Sequence, residues 1–266
     1  MTATATAKRT VRLRIRRCEG PGKPARWESF MVPVEPGANV ISCLQTIAAD
    51  PVTEEGRRTT PVVWDANCLE EVCGACTMVI NGRVRQSCSC LIDQVAPRNG
   101  DTITLEPMSK FPVVRDLWVD RSRLFHALAR VRAWAPIDDT FDRGPGPRET
   151  PEKQALRYTL STCMSCGCCL EACPQFLLVE DETKWDTAFV GAHALSQARL
   201  FNAHETGRTL KGERLEALTG PGGVSDCGNA QNCVKVCPKE IPLTESIADI
   251  GRQTTLHALA RWFTGR

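Results

Sequence analysis

The chain has 266 residues, enough for one or two domains with a sizeable core, and a formal net charge of +2 that gives no overall drive toward nucleic acid. It carries fifteen cysteines, its N-terminus "MTATATAKRT" lacks the apolar core of a secretory signal, and no window approaches the ~18 consecutive apolar residues of a membrane span. That combination points to metal ligation in a reducing compartment rather than to disulfides, so a soluble, intracellular, metal-binding chain is expected, with no nucleic-acid partner.

In chain order, "KRTVRLRIRR" alternates arginine with Val11, Leu13 and Ile15, the period of a half-buried strand with a solvated face rather than a polyanion-binding patch. Phe30, Val32 and Val34 alternate in "WESFMVPVEPG". "NVISCLQTIAA" offers Asn39 as a helix N-cap, with Ile41, Leu44, Ile47 and Ala48 on one stripe. In "MVINGRVRQS" the pair Asn81-Gly82 separates two extended runs, a hairpin signal. "GDTITLEP" reads as a closing strand with Ile103 and Leu105 on one face. Two strands, a helix and further strands suit a small β-grasp sheet. From about residue 115 the spacing turns helical in "RSRLFHALARVRAW", "PEKQALRYTLSTC" and "LTESIADIGRQTTLHALARWF". The proline- and glycine-rich "APIDDTFDRGPGPRETP" predicts a long loop between helices. The expectation is an α+β chain: a β-grasp domain over residues 1–114 and an all-helical domain over 115–266.

The cysteines that carry chemistry fall in three groups. In "CLEEVCGACTMVINGRVRQSC", Cys68, Cys73, Cys76 and Cys88 fit C-x4-C-x2-C with a distant fourth member, the plant-type ferredoxin spacing for a 2Fe-2S cluster. The loop must wrap two irons so that backbone N–H groups point at the sulfurs, and Gly74 and Ala75 let it pass close. Zinc is the rival for any C-x2-C pair, and Cys90 competes with Cys88 in "SCSC". In "CMSCGCCLEACP", Cys163, Cys166, Cys169 and Cys173 fit the bacterial ferredoxin run C-x2-C-x2-C-x3-C-P, whose fourth cysteine serves a neighbouring cluster. Cys168 breaks that register and reads as a packed thiol, while Pro174 fixes the chain direction.

"CGNAQNCVKVCP" keeps the same frame but holds Ala230 in the second ligand slot. Exchange then gives Cys163, Cys166, Cys169 and Cys237 to a 4Fe-4S cluster. Cys173, Cys227 and Cys233 are left for a site with three thiolates, which suits a 3Fe-4S cluster of higher reduction potential. Outside these groups Cys43 reads as a small buried hydrophobe and Cys18 as a strand-end thiol. His126, His193, His204 and His257 show no metal spacing and read as structural, and Trp262 and Phe263 as a core-facing helix end.

Three such motifs in this order resemble the iron–sulfur subunit of succinate dehydrogenase and fumarate reductase, from "TTPVVWDANCLEEVCGACTMVINGRVRQSC" through "FPVVRDLWVDRSR" to "DCGNAQNCVKVCPKEIPL". The resemblance implies the same three ligand sets and a plant-type ferredoxin-like domain followed by a bacterial ferredoxin-like one. It also implies an electron relay from FAD on a flavoprotein subunit to quinone at the interface with a membrane-anchor subunit. Ubiquinone-using members carry a tryptophan and a histidine where this chain has Leu178 and Gly228. It is therefore more similar to the menaquinone-reactive branch, whose anchor is a di-haem cytochrome b, and the implied location is peripheral, on the cytoplasmic face of the cell membrane. A free-standing multicluster carrier and a zinc-stapled module are the competing readings, separated by co-purification with partners and by colour.

Overall fold

The N-terminal alternation becomes strand β1 (Thr10–Arg17), with Val11, Leu13 and Ile15 fully buried and Arg14 and Arg16 exposed. A computed structural model describes residues 9–136 and 148–264, so most of the loop expected at 135–151 lies outside the described residues. β1 pairs antiparallel with β2 (Arg26–Pro33), and α1 (Val40–Ala49) follows. Asn39 caps α1 reciprocally: its side chain accepts from the Ser42 N–H, while the Ser42 hydroxyl accepts from the Asn39 N–H. Strands β3 (Thr77–Ile80) and β4 (Arg83–Gln86) form the expected hairpin, with Asn81 and Gly82 at φ 50° and 73°. The left-handed pair matches the twist of the two strands. After α2 (Ile92–Val95), strand β5 (Thr102–Glu106) enters the middle of the sheet, parallel to β1 and antiparallel to β3. The strand order is β2-β1-β5-β3-β4, and α1 packs its buried stripe into the same apolar core.

A second hairpin, β6 (Val113–Arg115) and β7 (Trp118–Val119), was not evident in the sequence. It belongs with the sheet because of Arg17, which lies on the buried side of β1 and not on the solvated face. The Arg17 guanidinium donates to Glu28 at 2.5 Å and to Asp116, in the β6–β7 turn, at 3.0 Å. Asp116 also accepts from the backbone N–H groups of Cys18 and Val63. Removing one partner of such a buried pair costs about 3–5 kcal/mol, so the turn is firmly tied to the sheet. The chain accordingly divides after Asp120, into Met1–Asp120 and Arg121–Arg266, rather than after residue 114.

The second unit is helical throughout its described residues. It contains α3 (Ser122–Arg130), α4 (Pro151–Ser161), the one-turn α5 (Cys168–Glu171), α6 (Gly191–Ala203), α7 (Lys211–Thr219), the one-turn α8 (Asn232–Lys235) and α9 (Leu243–Thr264). Thr150 caps α4 with Pro151 in the first turn, where a missing N–H costs nothing. α6 is the central helix, in contact with α3, α4, α5, α7 and α9. Three arginines satisfy the carbonyls of the loops: Arg123 donates to Leu177 and Phe189, Arg130 to Ala188 and Pro221, and Arg214 to Val131 and Gly207. The buried positions of α9 end at Thr254. Beyond it the helix outruns the body that covered it, and Trp262 and Phe263 are 74% and 77% exposed, against the expectation of a core-facing end.

Candidate metal centres

Cys68, Cys73 and Cys76 sit on a loop that enters β3, and Cys88 follows β4, so the β3–β4 hairpin returns the fourth thiol to the first three. The loop holds Leu69, Glu71 and Gly74 at φ 62°, 55° and 71°. Left-handed conformations at Leu69 and Glu71 are strained, and they turn successive N–H groups inward, the arrangement that makes an anion-binding nest. Glu70, Val72 and Cys73 donate their N–H groups to Cys68 Sγ at 3.3–3.4 Å, and Ala75 donates to Cys73 Sγ at 3.4 Å. These N–H groups, Glu70 first, hold the Cys68 thiol down at about 6. Burial pushes Cys88 up to about 12, and the thiols of Cys76 and Cys68 act on it in the same direction. Cys90 is fully buried, and that burial raises its thiol while the charge of Arg85 acts the other way. Donors aimed at sulfur fit a loop built to hold thiolates around a charged group.

In the helical unit the cysteines regroup across the sequence. Cys163, Cys166, Cys169 and Cys237 line one pocket together with Cys168, and Cys173, Cys227 and Cys233 line another, which also contains Ala230. Each combines thiols from both sequence runs. Cys169 is pushed well above the ordinary thiol value, by burial first and then by Cys166, Cys163 and Cys237. Burial likewise raises Cys233, with Cys173 and Cys227 adding to it. Neutral thiols are what burial alone favours, and bound iron would supply the positive charge that makes them thiolates. Among the described residues no three His, Cys, Asp or Glu side chains gather as ligands of a single metal ion. In an iron–sulfur cluster the thiolates bind different irons and stand apart around the group.

The two runs share a backbone as well as a spacing. Ser165 and Gly167 have φ 52° and 87°, and their counterparts Asn229 and Gln231 have φ 53° and 59°. Gly167 and Gln231 each precede a one-turn helix, α5 and α8. Ala230 therefore occupies the backbone position of Cys166 with the loop shape retained. Gly228 is closely covered: a Cβ there would lie 2.7 Å from the Gln175 amide nitrogen.

The remaining candidates pack locally, and two of them, Cys168 and His193, also line the pocket of Cys163, Cys166, Cys169 and Cys237. Cys43 is buried on α1 and raised by that burial to about 11. Cys18 follows β1 and donates its thiol to the carbonyl of Gly20. Cys168 is buried, and its thiol hydrogen-bonds Cys166, the main cause that holds Cys166 at about 7. His126 pairs with Asp186 at 2.8 Å, His204 Nδ1 accepts from the N–H groups of Thr206 and Gly207, and His257 lies 3.9 Å from Glu216. His193 is pushed down to about 4 by burial. No cysteine spacing marks it, and the only sequence signal is a lone histidine inside the apolar stretch "FVGAHAL".

Comparison with known proteins follows the same division. Residues 12–126 match the family model for a 2Fe-2S iron-sulfur cluster binding domain, and residues 159–241 match that for a 4Fe-4S dicluster domain. The chain is 53% identical over 256 residues to the succinate dehydrogenase iron-sulfur subunit of Bacillus subtilis, covering 96% of this chain and 97% of that one. It is 31% identical over 192 residues to the fumarate reductase iron-sulfur subunit of Wolinella succinogenes, covering 71% and 76%. A chain of the Mycobacterium smegmatis Sdh1 complex in the apo form has the same fold, with a TM-score of 0.75 at 23% identity over 93% of this chain and 96% of that one.

Proposed function

The chain belongs to the iron–sulfur subunits of succinate dehydrogenase and fumarate reductase, and from that premise we propose that it relays electrons between the FAD of a flavoprotein subunit and quinone through 2Fe-2S, 4Fe-4S and 3Fe-4S clusters. The clusters, when bound, supply one-electron carriers of graded potential. The chain's own residues hold them, set the charge around them and carry out no bond-making chemistry. Cys68, Cys73, Cys76 and Cys88 hold the first, in a domain read as a β-grasp ferredoxin on the support of its strand order β2-β1-β5-β3-β4. Cys163, Cys166, Cys169 and Cys237 hold the second. Cys173, Cys227 and Cys233 hold the third, where Ala230 offers no donor atom and the site departs from a pair of four-iron clusters.

The observation that carries this reading is the crossing of the two runs, with Cys237 beside the first three thiols of one run and Cys173 beside two thiols of the other. Among the described residues no helix is long and apolar enough to cross a membrane. We place the chain as a peripheral subunit at the cytoplasmic face of the cell membrane, held by a cytochrome b anchor carrying haem. Leu178 and Gly228, where ubiquinone-using members have tryptophan and histidine, favour menaquinone.

Purification of the intact complex tests the proposal. Flavoprotein and cytochrome b should accompany the chain, and iron analysis should approach about nine irons per chain, from clusters of two, four and three. The oxidised complex should give the EPR signal of a three-iron cluster. A colourless, zinc-loaded preparation with full succinate:quinone activity would sink the reading.

A further inference from the structure

His193 is a buried titratable side chain of the helical unit with no salt bridge among the described residues. It lies in the first turn of α6, 1% exposed, between Ala192 and Ala194. Its Nε2 is 3.0 Å from Ser165 Oγ, and its Nδ1 is buried with no hydrogen-bond partner among the described residues. Leaving such a group unsatisfied is unfavourable, and a buried atom of this kind calls for a partner, a water or a bound group. The ring lines the pocket of Cys163, Cys166, Cys169 and Cys237, while Ala192, one residue earlier on the same helix, lines the pocket of Cys173, Cys227 and Cys233. α6 thus presents a polar ring to one pocket and a methyl group to the other.

We propose that His193 is a positioning residue for the four-iron group: Ser165 donates its hydroxyl proton to Nε2, which fixes the ring's single proton on Nδ1, and Nδ1–H donates to a sulfur of that group. A neutral imidazole has one donor and one acceptor, so with Nε2 accepting from Ser165 the unpartnered Nδ1 carries the proton and is the ring's free donor. The opposite tautomer would leave Nδ1 a lone pair, which an electron-rich sulfur cannot satisfy. Serine fits this task because its hydroxyl turns freely to donate. A donor to sulfur stabilises the reduced, more negative state, so His193 raises the potential of this cluster without touching the three-iron one.

The inference rests on the four-iron assignment proposed above, and the test separates the two. The intact complex is prepared with 15N-histidine and reduced, and pulsed EPR is recorded on the four-iron signal. Coupling to one histidine nitrogen and to an exchangeable proton is expected in the wild type and is lost in His193→Phe. In that variant the reduction equilibrium of the cluster should fall about tenfold, which is about 59 mV for a one-electron couple, with the 2Fe-2S and three-iron couples unmoved. Ser165→Ala should shift it the same way by less. A wild-type four-iron signal without histidine coupling overturns the hydrogen bond even if the variants do not assemble. So does a coupling that survives His193→Phe, or an assembled His193→Phe cluster at the wild-type potential. Absence of any four-iron signal in the wild type would instead overturn the ligand assignment.

Discussion

The loops Cys163–Cys169 and Cys227–Cys233 follow one path with different side chains. Both place left-handed residues at the third and fifth positions, and both run into a one-turn helix. They differ in thiols at two positions, the middle one with Cys166 against Ala230 and the sixth with Cys168 against Asn232, and of the two only the middle one belongs to the C-x2-C-x2-C frame. A non-glycine residue held left-handed costs of the order of 1–3 kcal/mol, and the second loop carries two of them, Asn229 and Gln231. The loop shape is therefore maintained at a cost even where no thiol stands at the middle position. On the assignment proposed above, the scaffold fixes where ligands can stand and a single side chain decides how many irons the site holds.

The largest test of the comparison exchanges the roles of sequence and space. Cys237→Ser should abolish the four-iron EPR signal, although Cys237 belongs to the second run, and Cys173→Ser should abolish the three-iron signal, although it belongs to the first. Succinate:quinone activity should fall by more than the roughly 10- to 100-fold that replacing a partner behind a ligand typically costs. If each variant lost the cluster of its own run instead, the crossing of the two pockets would be wrong.

Next in size is the wall the two pockets share. Gly191 begins α6 at φ 80°, and a Cβ there would lie 2.2 Å from Leu170 Cδ2 on α5. Gly191→Ala combines a left-handed alanine with an overpacked contact, together about 2–4 kcal/mol of destabilisation. Both helical-unit clusters should become more labile to heat or chelator, while the 2Fe-2S cluster keeps its wild-type lifetime. Loss of one helical-unit cluster alone would show that the pockets are independently supported.

What the sequence disclosed differs between the units for a physical reason. β1, the Asn81-Gly82 hairpin and the Asn39 cap are local signals, each complete within about ten residues. The position of β5 in the middle of the sheet depends on pairing with β1, some ninety residues earlier, and no local pattern encodes it. α6 was missed because it has no polar face: most of Gly191–Ala203 is buried, and without a solvated side there is no period to read. The cysteine groups stand out in the sequence by their short spacings, and Cys237 and Cys173 each line the pocket of the other run's thiols. Arg17 is not legible because an arginine in an alternating run reads as solvated, whereas Glu28 and Asp116 make its burial tolerable.

Ala230→Cys should convert one loop into the other. Asn229 and Gln231 already have the φ values of Ser165 and Gly167, so the new thiol would leave the chain where Cys166 does. A four-iron cluster should replace the three-iron one, with a lower potential because ligand number and charge have changed. Quinone reduction should slow by about tenfold, the change that about 59 mV makes in a one-electron equilibrium. Reduction of an artificial acceptor that draws electrons before this site should fall less. A fully assembled variant that kept both the three-iron signal and the wild-type potential would show that position 230 is not the missing ligand position.

The smallest effect isolates the backbone from the ligands. Gly167 and Gln231 both cap a one-turn helix in the left-handed region, at φ 87° and 59°. Glycine accepts that conformation freely, whereas alanine pays for its Cβ, so Gly167→Ala should destabilise by about 1 kcal/mol. At Gln231 the same argument runs in reverse. Gln231→Gly relieves the left-handed strain but gives the unfolded chain more freedom, and these nearly cancel, leaving a gain of about 0.5 kcal/mol at most. For a unit of this size 1 kcal/mol corresponds to about 2–4 °C in Tm. In the intact complex, the temperature at which visible cluster absorption bleaches should drop by that amount in Gly167→Ala and rise by less in Gln231→Gly. If Gln231→Gly proved the more damaging change, the Gln231 side chain, which lines the three-thiol pocket, would be holding that loop. The two loops would then owe their common path to different forces.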